Sequence, residues 1–456
     1  MNYVALIFYS VITLPYFFLY VRKNRITPVS TFLLFQMIMF YGICFSEKGM
    51  NSSAHKLQFI YCVAIFCFIV GVESSKRIVF KLSKDSTTQI CNTPIDTSNR
   101  SLNDISTNSI QKIVIWSIIA LSILLCGLLF VRNGGNLFVQ ALNNYINDSN
   151  ISLSEARKDY TDVNGVGYIY QFRAVLLPLL ASFMLFFDKK KHSRLITIPI
   201  YILMITFLLG TGQRNAFVYY CFFVLIYIIM MKKDHGLMLI SKPQMIILGI
   251  IAMLFLIILT ISNGRVNDNQ NTSWGAIKSL IDRVFSVNQE SAIVGFEYMD
   301  SQDTVWGYDW WKMFEQLLPG KSDYIPVDYI SYKIVYGTLR GTNPPCLWGS
   351  AWYNFHIFGI TVFPFILGIL YEKLHKTTIS YKNKDRLYVL IYAGLCTYLG
   401  IWTSGTPMAV FNNGVVTLLI LRWLCYKMPT IINKNKTPHK ITLNSANIKI
   451  DKGINL

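Results

Sequence analysis

The chain has 456 residues, of which 53% are hydrophobic and only 14% are charged. Soluble globular proteins carry about 25% charged residues, so this composition argues against a soluble domain as the main organisation. Apolar stretches of about 20 residues recur along the chain, and this is the length that a helix needs to cross a bilayer. The net charge of +18 needs no nucleic-acid partner, because the lysines are scattered over the ends of loops.

The apolar stretches predict an all-α polytopic membrane protein with about eleven transmembrane helices. Each such helix satisfies its own backbone hydrogen bonds, as a segment surrounded by lipid must. In chain order the helices are predicted at 3–21, 29–45, 57–72, 112–131, 167–187, 195–210, 215–231, 244–262, 352–371, 387–403 and 411–427.

The basic residues are divided unequally between the two sides of the membrane. If the helices alternate in direction, one side holds 28 of the 42 Lys and Arg and 9 of the 24 Asp and Glu, a net charge of +19. The opposite side holds 14 basic and 15 acidic residues, a net charge of −1. The positive-inside tendency therefore predicts that the first side is cytoplasmic. The first helix has its basic flank after it, which predicts an uncleaved anchor with its N-terminus outside.

The predicted helices divide the chain into four parts. Residues 1–262 hold the first eight helices with an outer loop at 132–166, residues 263–351 form a long outer loop, residues 352–427 hold the last three helices, and residues 428–456 form a cytoplasmic tail. A connection as long as the second part is usually functional or has structure of its own. Apolar residues at helical spacing, among them Ile277 and Ile281, predict an amphipathic helix over 274–298 on the outer surface.

Cysteine and histidine give no sign of disulfides or metals. Seven of the nine Cys lie in or beside predicted helices and only Cys346 lies in the long outer loop, so no disulfide framework is expected. The six His are scattered, and neither an HExxH nor a CxxC pattern occurs. We therefore expect no protein-held metal and no cofactor.

Arginine is concentrated on the outer side. Of the 14 basic residues there, 7 are Arg, whereas Arg supplies 7 of the 28 on the cytoplasmic side. The planar guanidinium binds phosphate through two parallel hydrogen bonds, which a lysine does not. The distribution predicts an anionic ligand on the outer face, such as a lipid diphosphate. The outer arginines are Arg132, Arg157, Arg173, Arg214, Arg265, Arg283 and Arg340.

Two of these arginines have unusual positions. Arg173, in VGYIYQFRAVLLPLL, lies about two turns into the fifth predicted helix, and Arg214 lies in the hairpin LLGTGQRNAFVYY between the sixth and seventh. A charge at membrane depth is normally paired or faces a water-filled cavity. The alternative is that both side chains extend to lipid headgroups. Gly210 and Gly212 permit a tight turn beside Arg214.

One histidine is placed where a general base would be useful. His356, in WYNFHIFG, is the His beside an outer helix end, and a neutral imidazole can accept a proton from a sugar hydroxyl. A histidine that is merely hydrogen-bonded at the interface is the alternative. Other candidate bases are Glu155, Asp159, Asp162, Asp282, Glu290 and Glu297. Tryptophans that can stack on sugars, or belong to an interfacial aromatic belt, are Trp306, Trp310, Trp311, Trp348 and Trp352.

The layout and three short motifs resemble a known family. About eleven helices with a very long outer loop before the last three, a TGxR hairpin (Thr211, Gly212, Arg214) and an Asn-Pro-Pro…Trp-Gly-Ser…Phe-Gly run over 343–359 resemble the Wzy family, the O-antigen or oligosaccharide-repeat polymerases of bacterial inner membranes. The resemblance implies a GT-C-like membrane fold. It also implies a glycosyltransferase that moves a glycan from undecaprenyl diphosphate to a new lipid-linked repeat at the periplasmic face, without a metal.

The resemblance also implies roles for individual residues. Arg214 and Arg173 match the family's outer-face arginines that hold the diphosphate. Further candidates for binding the diphosphate or the glycan are Arg265, Arg283, Arg340, Arg157, Trp310 and Trp311. Many relatives carry a Glu shortly before the Phe-Gly, whereas this chain reads AWYNFHIFG, so the resemblance assigns no base and His356 is a candidate by its position alone. The implied partners are the lipid-linked oligosaccharide and polysaccharide, membrane lipids and a chain-length regulator protein.

Two other functions share parts of this pattern. An O-antigen ligase uses the same donor and a similar layout but transfers the glycan to lipid A core. A flippase or transporter of lipid-linked sugars would show repeated halves, broken helices and ionisable groups near the midplane. Here the charges near the predicted helices lie towards their outer ends, which favours a transferase.

Overall fold

The computed structural model of the protein describes residues 3–24, 26–85, 109–133, 135–137, 139–140, 166–187, 191–211, 214–235, 249–250, 281–316, 318, 324–339, 341–343, 345–380 and 385–428. The elements in these residues are helices, and the single β-type pairing among them is an isolated bridge between Cys346 and Ser404. This confirms the all-helical prediction for the described part of the chain.

The helices are numbered in chain order. They are α1 (Tyr3–Asn24), α2 (Pro28–Phe45), α3 (Ser52–Asp85), α4 (Ser109–Arg132), α5 (Val166–Tyr170, a π-helical stretch Gln171–Leu176, and Leu177–Phe187), α6 (Lys191–Leu209), α7 (Arg214–His235), α8 (Asn288–Asp300), α9 (Tyr308–Glu315), α10 (Val327–Tyr336), α11 (Leu347–Ile379), α12 (Arg386–Gly400), α13 (Ala409–Asn412) and α14 (Val415–Arg422, continued by a π-helical stretch Trp423–Lys427).

Seven of the described helices are long and apolar enough to cross a membrane, and α6 and α12 contain shorter apolar stretches. The protein is therefore polytopic, as its composition predicts. The total of about eleven helices and the GT-C-like class stay predictions. The helix predicted at 244–262 lies outside the described residues, apart from two helical positions at 249–250.

Contacts at both ends of the helix bundle join distant parts of the chain. Residues 46–51, which connect α2 to α3, mark one end, and this end is called the loop end below. There Lys56 of α3 forms an ion pair with Asp300 of α8, with Nζ 2.5 Å from Oδ1. At the other end, the hydroxyl of Tyr20 in α1 donates a hydrogen bond of 2.6 Å to Oε2 of Glu372 in α11. The N-terminal helices are thus packed against the C-terminal half.

Helices α3 and α11 approach closely through glycines. A methyl group on Gly71 would lie 2.1 Å from the carbonyl oxygen of Phe365, and one on Gly368 would lie 2.2 Å from the carbonyl oxygen of Phe68. Glycine at both contact points removes the side chain that would keep the two backbones apart, as is common where membrane helices cross.

Helix α11 is folded back on itself at His356, whose φ of 51° and ψ of −128° are not helical. The ring of Phe32 in α2 lies 6.0 Å from that of Trp348 and 5.2 Å from that of Tyr371, so both ends of α11 contact one side chain. In a straight helix, positions 348 and 371 would be about 34 Å apart. The two halves of α11 must therefore run side by side in opposite directions.

These halves are called the first limb (347–355) and the second limb (357–379) of α11. A methyl group on Gly359 would lie 1.9 Å from the carbonyl oxygen of Ala351, so glycine lets the limbs touch just beyond the turn. The first limb ends, and the second begins, at the loop end, where Lys56 lies over the ring of Trp352 at 4.9 Å. The helix predicted at 352–371 is therefore broken at His356, and its residues 352–355 belong to the separate first limb.

Helix α8 differs from the surface helix predicted over 274–298. Its residues Ile293 and Phe296 are fully buried, and Gln289 packs against Gly42 of α2, where a methyl group would lie 2.5 Å from Gln289 Cγ. Small residues such as Ala292 let the helix dock into the bundle instead of lying on it. Residues 274–280 lie outside the described part, whereas Ile281 is exposed.

Candidate active site: an arginine corner and a helical hairpin

Arg173 is enclosed in the protein, with only 2% of its surface exposed. Its Nη1 donates hydrogen bonds to the carbonyl oxygens of Phe207 (3.4 Å) and Leu208 (3.2 Å) and to Oγ1 of Thr211 (2.6 Å). The guanidinium also lies 5.4 Å from the centre of the Tyr170 ring. The charge that looked unpaired in the sequence is therefore bound to the end of α6 and to the hairpin that follows it.

The end of α6 explains why a guanidinium is useful there. The last carbonyls of a helix have no partner within it and carry partial negative charge, so a cation at this end is stabilising. Asn136 satisfies another of these carbonyls by donating a 2.9 Å hydrogen bond to Thr206. Gly210 leaves room for this neighbour, since a methyl group there would lie 2.7 Å from Asn136 Nδ2. Arg173 and its neighbours form what is called the arginine corner below.

Arg214 begins α7, three residues after Thr211, so the chain brings it to the arginine corner. Its side chain lies outside the described atoms, as do residues 212–213. Arg283 is in a π-helical stretch before α8, and its side chain is also outside the description. Arg132 lies at the exposed end of α4, and the other outer arginines lie outside the described residues; they are Arg157, Arg265 and Arg340.

His356 forms the tip of the α11 hairpin and is exposed at the loop end. Its backbone angles are those of the first central residue of a type II′ turn, a position that glycine usually occupies. Its imidazole stacks on the ring of Trp352, with centroids 3.7 Å apart. The strained backbone thus presents an imidazole, backed by an indole, on the surface of the bundle.

The segment before α9 caps the first limb of α11. The N–H of Val305 donates to the carbonyl of Tyr353 at 3.1 Å, and the N–H of Gly307 donates to that of Asn354 at 3.0 Å. These are the last carbonyls of the first limb, which the limb itself cannot satisfy. Gly307 has φ of 84°, and a methyl group there would lie 2.7 Å from the Phe355 ring, so both space and conformation require glycine.

The two predicted glycan-stacking tryptophans have different surroundings. Trp310 donates its indole N–H to Oγ of Ser350 at 2.9 Å, and its ring lies 5.3 Å from that of Phe355 and 5.1 Å from that of Phe363. Trp310 therefore fixes α9 against both limbs of α11. Trp311 is 61% exposed, and its ring lies 6.3 Å from that of Phe314.

Asp309 is a buried acidic residue that the sequence patterns did not single out. It is 1% exposed and accepts hydrogen bonds from the hydroxyl of Tyr324 (2.5 Å) and from Nδ2 of Asn354 (3.5 Å). Burial raises the pKa of Asp309 above its ordinary value, against the effect of these hydrogen bonds. Burial also raises the pKa of the nearby Asp328 to about 7, and the negative charge of Asp309 adds to this. An acidic residue between aromatics in a loop gives no sequence signal of such burial.

The α13 segment lies between the arginine corner and the hairpin. On one side, Nε2 of Gln171 in α5, two residues before Arg173, donates to the carbonyl of Asn412 at 2.9 Å. On the other side, the ring of Phe411 lies 5.7 Å from that of Phe314 in α9. The two groups of predicted site residues are therefore separated by a single short helix.

No cluster of three or more His, Cys, Asp or Glu that could hold a metal ion occurs within the described ranges. Cys346 is buried at the start of the first limb, where its Sγ accepts a 3.3 Å hydrogen bond from the N–H of Gly349. This thiol therefore caps a helix.

Comparison with known proteins gives one finding about the family. A family model described as O-antigen polysaccharide polymerase Wzy matches residues 1–308, about two thirds of the chain. The matched range includes the arginine corner and the capping segment 305–307, and it ends before the α11 hairpin. No curated protein and no solved structure matches the chain significantly.

Proposed function

Because the chain belongs to the O-antigen polysaccharide polymerase Wzy family, we propose that it transfers a growing glycan from undecaprenyl diphosphate to a new lipid-linked repeat unit. The family and the apolar helices make the chain a multi-pass membrane protein that polymerises O-antigen. The proposal adds the donor, the bacterial inner membrane as the location, and an active site that faces the periplasm at the loop end. A chain-length regulator protein is proposed as a partner.

The chemistry requires one base and a site for the leaving group. A hydroxyl oxygen of the acceptor sugar attacks the anomeric carbon of the donor and forms the new glycosidic bond. The bond from that carbon to the diphosphate oxygen breaks, and the diphosphate leaves with the electron pair. The hydroxyl proton passes to the base. Preorganised guanidinium groups can stabilise the negative charge that develops on the diphosphate, so this chemistry does not require a metal.

The arginine corner supports a diphosphate site next to α7. In this proposal Arg214 binds the diphosphate, while Arg173 holds the hairpin that carries Arg214 through its 2.6 Å hydrogen bond to Thr211. This bond is the observation that carries the proposal, because it fixes a TGxR hairpin to a buried cation. Arg157, Arg265, Arg283 and Arg340 are proposed as further contacts to the diphosphate or the glycan.

His356 is proposed as the base. It is exposed at the tip of the hairpin, beside Trp352, where a sugar can reach it. Trp310 and Trp311 are proposed to border the glycan next to it. The proposal requires that the diphosphate and the acceptor hydroxyl meet across the α13 segment, which lies between the two groups.

The experiment that tests this function is the lipopolysaccharide pattern of a strain that lacks the gene. A polymerase predicts core capped with a single repeat. Uncapped core with polymer accumulated on the lipid carrier would indicate a ligase, and uncapped core with repeats trapped inside the cell would indicate a flippase. An unchanged ladder would contradict all three.

The role of Arg214 is tested by Arg214→Lys, which keeps the charge but loses the two-pronged hydrogen bonding. We expect polymer formation to fall by about 10²–10³-fold, the effect of losing a donor that acts in the transition state. The rate is measured with purified enzyme and lipid-linked repeat. The matched control is Arg22→Lys at the exposed end of α1, for which we expect less than a twofold change, the usual result for a surface substitution. Normal activity of Arg214→Lys would contradict the diphosphate role.

A further inference from the structure

Two residues have a backbone conformation that bulky side chains avoid. Trp306 has φ of 50° and His356 has φ of 51°, and they are the two non-glycine residues with positive φ in the described part of the chain. Such conformations are strained and persist where the surrounding structure imposes them, often at functional sites. Glycine would avoid this strain at both positions.

The two strained residues belong to one surface. Trp306 lies between Val305 and Gly307, whose N–H groups bind the carbonyls of Tyr353 and Asn354, and His356 follows Asn354 by two residues. The capping of the first limb thus holds both strained residues at the tip of the hairpin. The indole of Trp306 is 70% exposed, so this costly backbone arrangement projects a large aromatic face into the surroundings.

The surroundings of Trp306 suit a sugar better than lipid tails. The preceding residues Ser301, Gln302 and Asp303 are polar and exposed, and the Lys56–Asp300 ion pair lies just before them. Ser301 donates to the carbonyl of Tyr298 and Gln302 donates to Ser301, but lipid tails would still exclude water from the remaining polar atoms and from the carboxylate of Asp303. A sugar ring has C–H groups that pack on an aromatic face and hydroxyls that bind polar side chains. Trp310, in contrast, is fixed between Phe355 and Phe363.

We propose that Trp306 is the stacking platform for a sugar of the acceptor repeat and directs one hydroxyl of that sugar to His356. The inference rests on the proposed function, since it assigns the acceptor end of the same site. The strained backbone fixes the direction of the indole, so the sugar binds to a surface that is already formed. Preorganisation of this kind avoids the entropic cost of ordering the side chain on binding.

The test uses the free repeat oligosaccharide, released from its lipid, as the probe, and measures its binding to the full-length protein in lipid nanodiscs. Trp306→Gly removes the ring and relieves the positive φ, so this variant is expected to fold at least as well as the wild-type protein. It should bind the probe about tenfold more weakly, which corresponds to about 1.4 kcal/mol for one lost aromatic contact. Trp306→Phe keeps an aromatic face and should stay within about threefold of the wild type.

Two further variants separate a sugar platform from a lipid anchor. Trp306→Leu keeps an apolar side chain without an aromatic face and should lose affinity as Trp306→Gly does. Trp116→Leu makes the same change at an exposed Trp of α4 and should leave binding unchanged. Wild-type binding by Trp306→Gly or by Trp306→Leu would overturn the inference, as would the absence of any binding by the wild-type protein. These results would leave the proposed function intact, because that function is tested separately by the lipopolysaccharide pattern of the deletion strain.

Discussion

The arginine corner and the α11 hairpin are both unusual, and they are unusual in opposite ways. At the corner a charged side chain is buried and bound to Phe207, Leu208 and Thr211. At the hairpin the backbone is strained while the side chains of Trp306 and His356 are exposed. The buried charge of Arg173, with its local partners, mainly stabilises the fold. The exposed rings of Trp306 and His356 stand on strained backbone and have no evident structural benefit. We therefore expect substitutions at the arginine corner to impair folding and substitutions at the hairpin to impair activity.

The largest effect is expected from Arg173→Ala. The substitution leaves the carbonyls at the end of α6 without a charged donor, and each hydrogen bond to a charged group contributes about 1.5–3 kcal/mol. We expect the protein to lose about 3 kcal/mol of stability. Thermal unfolding and the yield of monodisperse protein in detergent measure this. Arg132→Ala, at the exposed end of α4, is the control. A stable but inactive Arg173→Ala would show that this arginine acts on substrate instead.

A smaller effect is expected from Asn354→Ala, a substitution in the first limb of the α11 hairpin. Asn354 is fully buried. Its amide oxygen accepts a hydrogen bond from the backbone N–H of Trp310, and its amide nitrogen donates to Asp309 and to the carbonyl of Ser350. Unpaired buried polar groups cost about 1–3 kcal/mol. The melting temperature and the polymerisation rate should both fall, because the first limb loses its fixed position.

The control for Asn354 lies on the second limb. Thr361 donates its hydroxyl to the carbonyl of Ile357 in an exposed part of that limb. Thr361→Ala should therefore leave both the melting temperature and the rate close to wild type. If Thr361→Ala and Asn354→Ala behaved alike, the network around Asp309 would not be what positions the hairpin.

The third effect has the opposite sign for stability. His356→Gly places glycine at a type II′ position and should raise stability by about 1 kcal/mol, the lower end of the cost of such strain. Polymerisation should be lost if His356 is the base. Thermal unfolding measures the stability, and the lipopolysaccharide ladder measures polymerisation. A stabilised variant that still polymerises would remove His356 from the mechanism, and a destabilised one would show that the imidazole stabilises the turn.

The last prediction concerns the pH dependence of stability. The pKa of Asp328 is raised from its ordinary value of 3.8 to about 7 because its carboxylate is withdrawn from water and lies near the charge of Asp309. Between these two pH values the folded protein therefore holds a proton that the unfolded chain has lost. This stabilising contribution is present at low pH and is lost as the pH rises towards 7. Asp328→Asn removes the effect and should raise the melting temperature more at pH 8 than at pH 5. An equal change at both pH values would show that Asp328 titrates normally.

The sequence predicts the long apolar helices well because twenty apolar residues have few alternatives in lipid. It also predicts that Arg173 is paired or faces a cavity, since a charge at membrane depth needs a partner, but it does not identify the end of α6 and Thr211 as that partner. The α11 hairpin is not predictable in this way. The apolar stretch predicted as one helix at 352–371 shows no break in its pattern, and no glycine or proline stands at the turn position 356. The burial of Asp309 depends on Tyr324 and Asn354, which are distant in sequence.

The first limb of α11 also has a consequence for the order in which the protein assembles. Its start is held by backbone hydrogen bonds to a segment made later, from Leu347 N–H to the carbonyl of Thr403 and from Gly405 N–H to that of Pro345. A limb of nine residues is too short to cross a bilayer alone. During synthesis it must therefore wait for α12 to emerge. In a chain that ends before residue 400, Leu347 and Pro345 would lack these hydrogen-bonding partners. The α11 hairpin therefore reaches its final position only after α12 and the residues that follow it have been made.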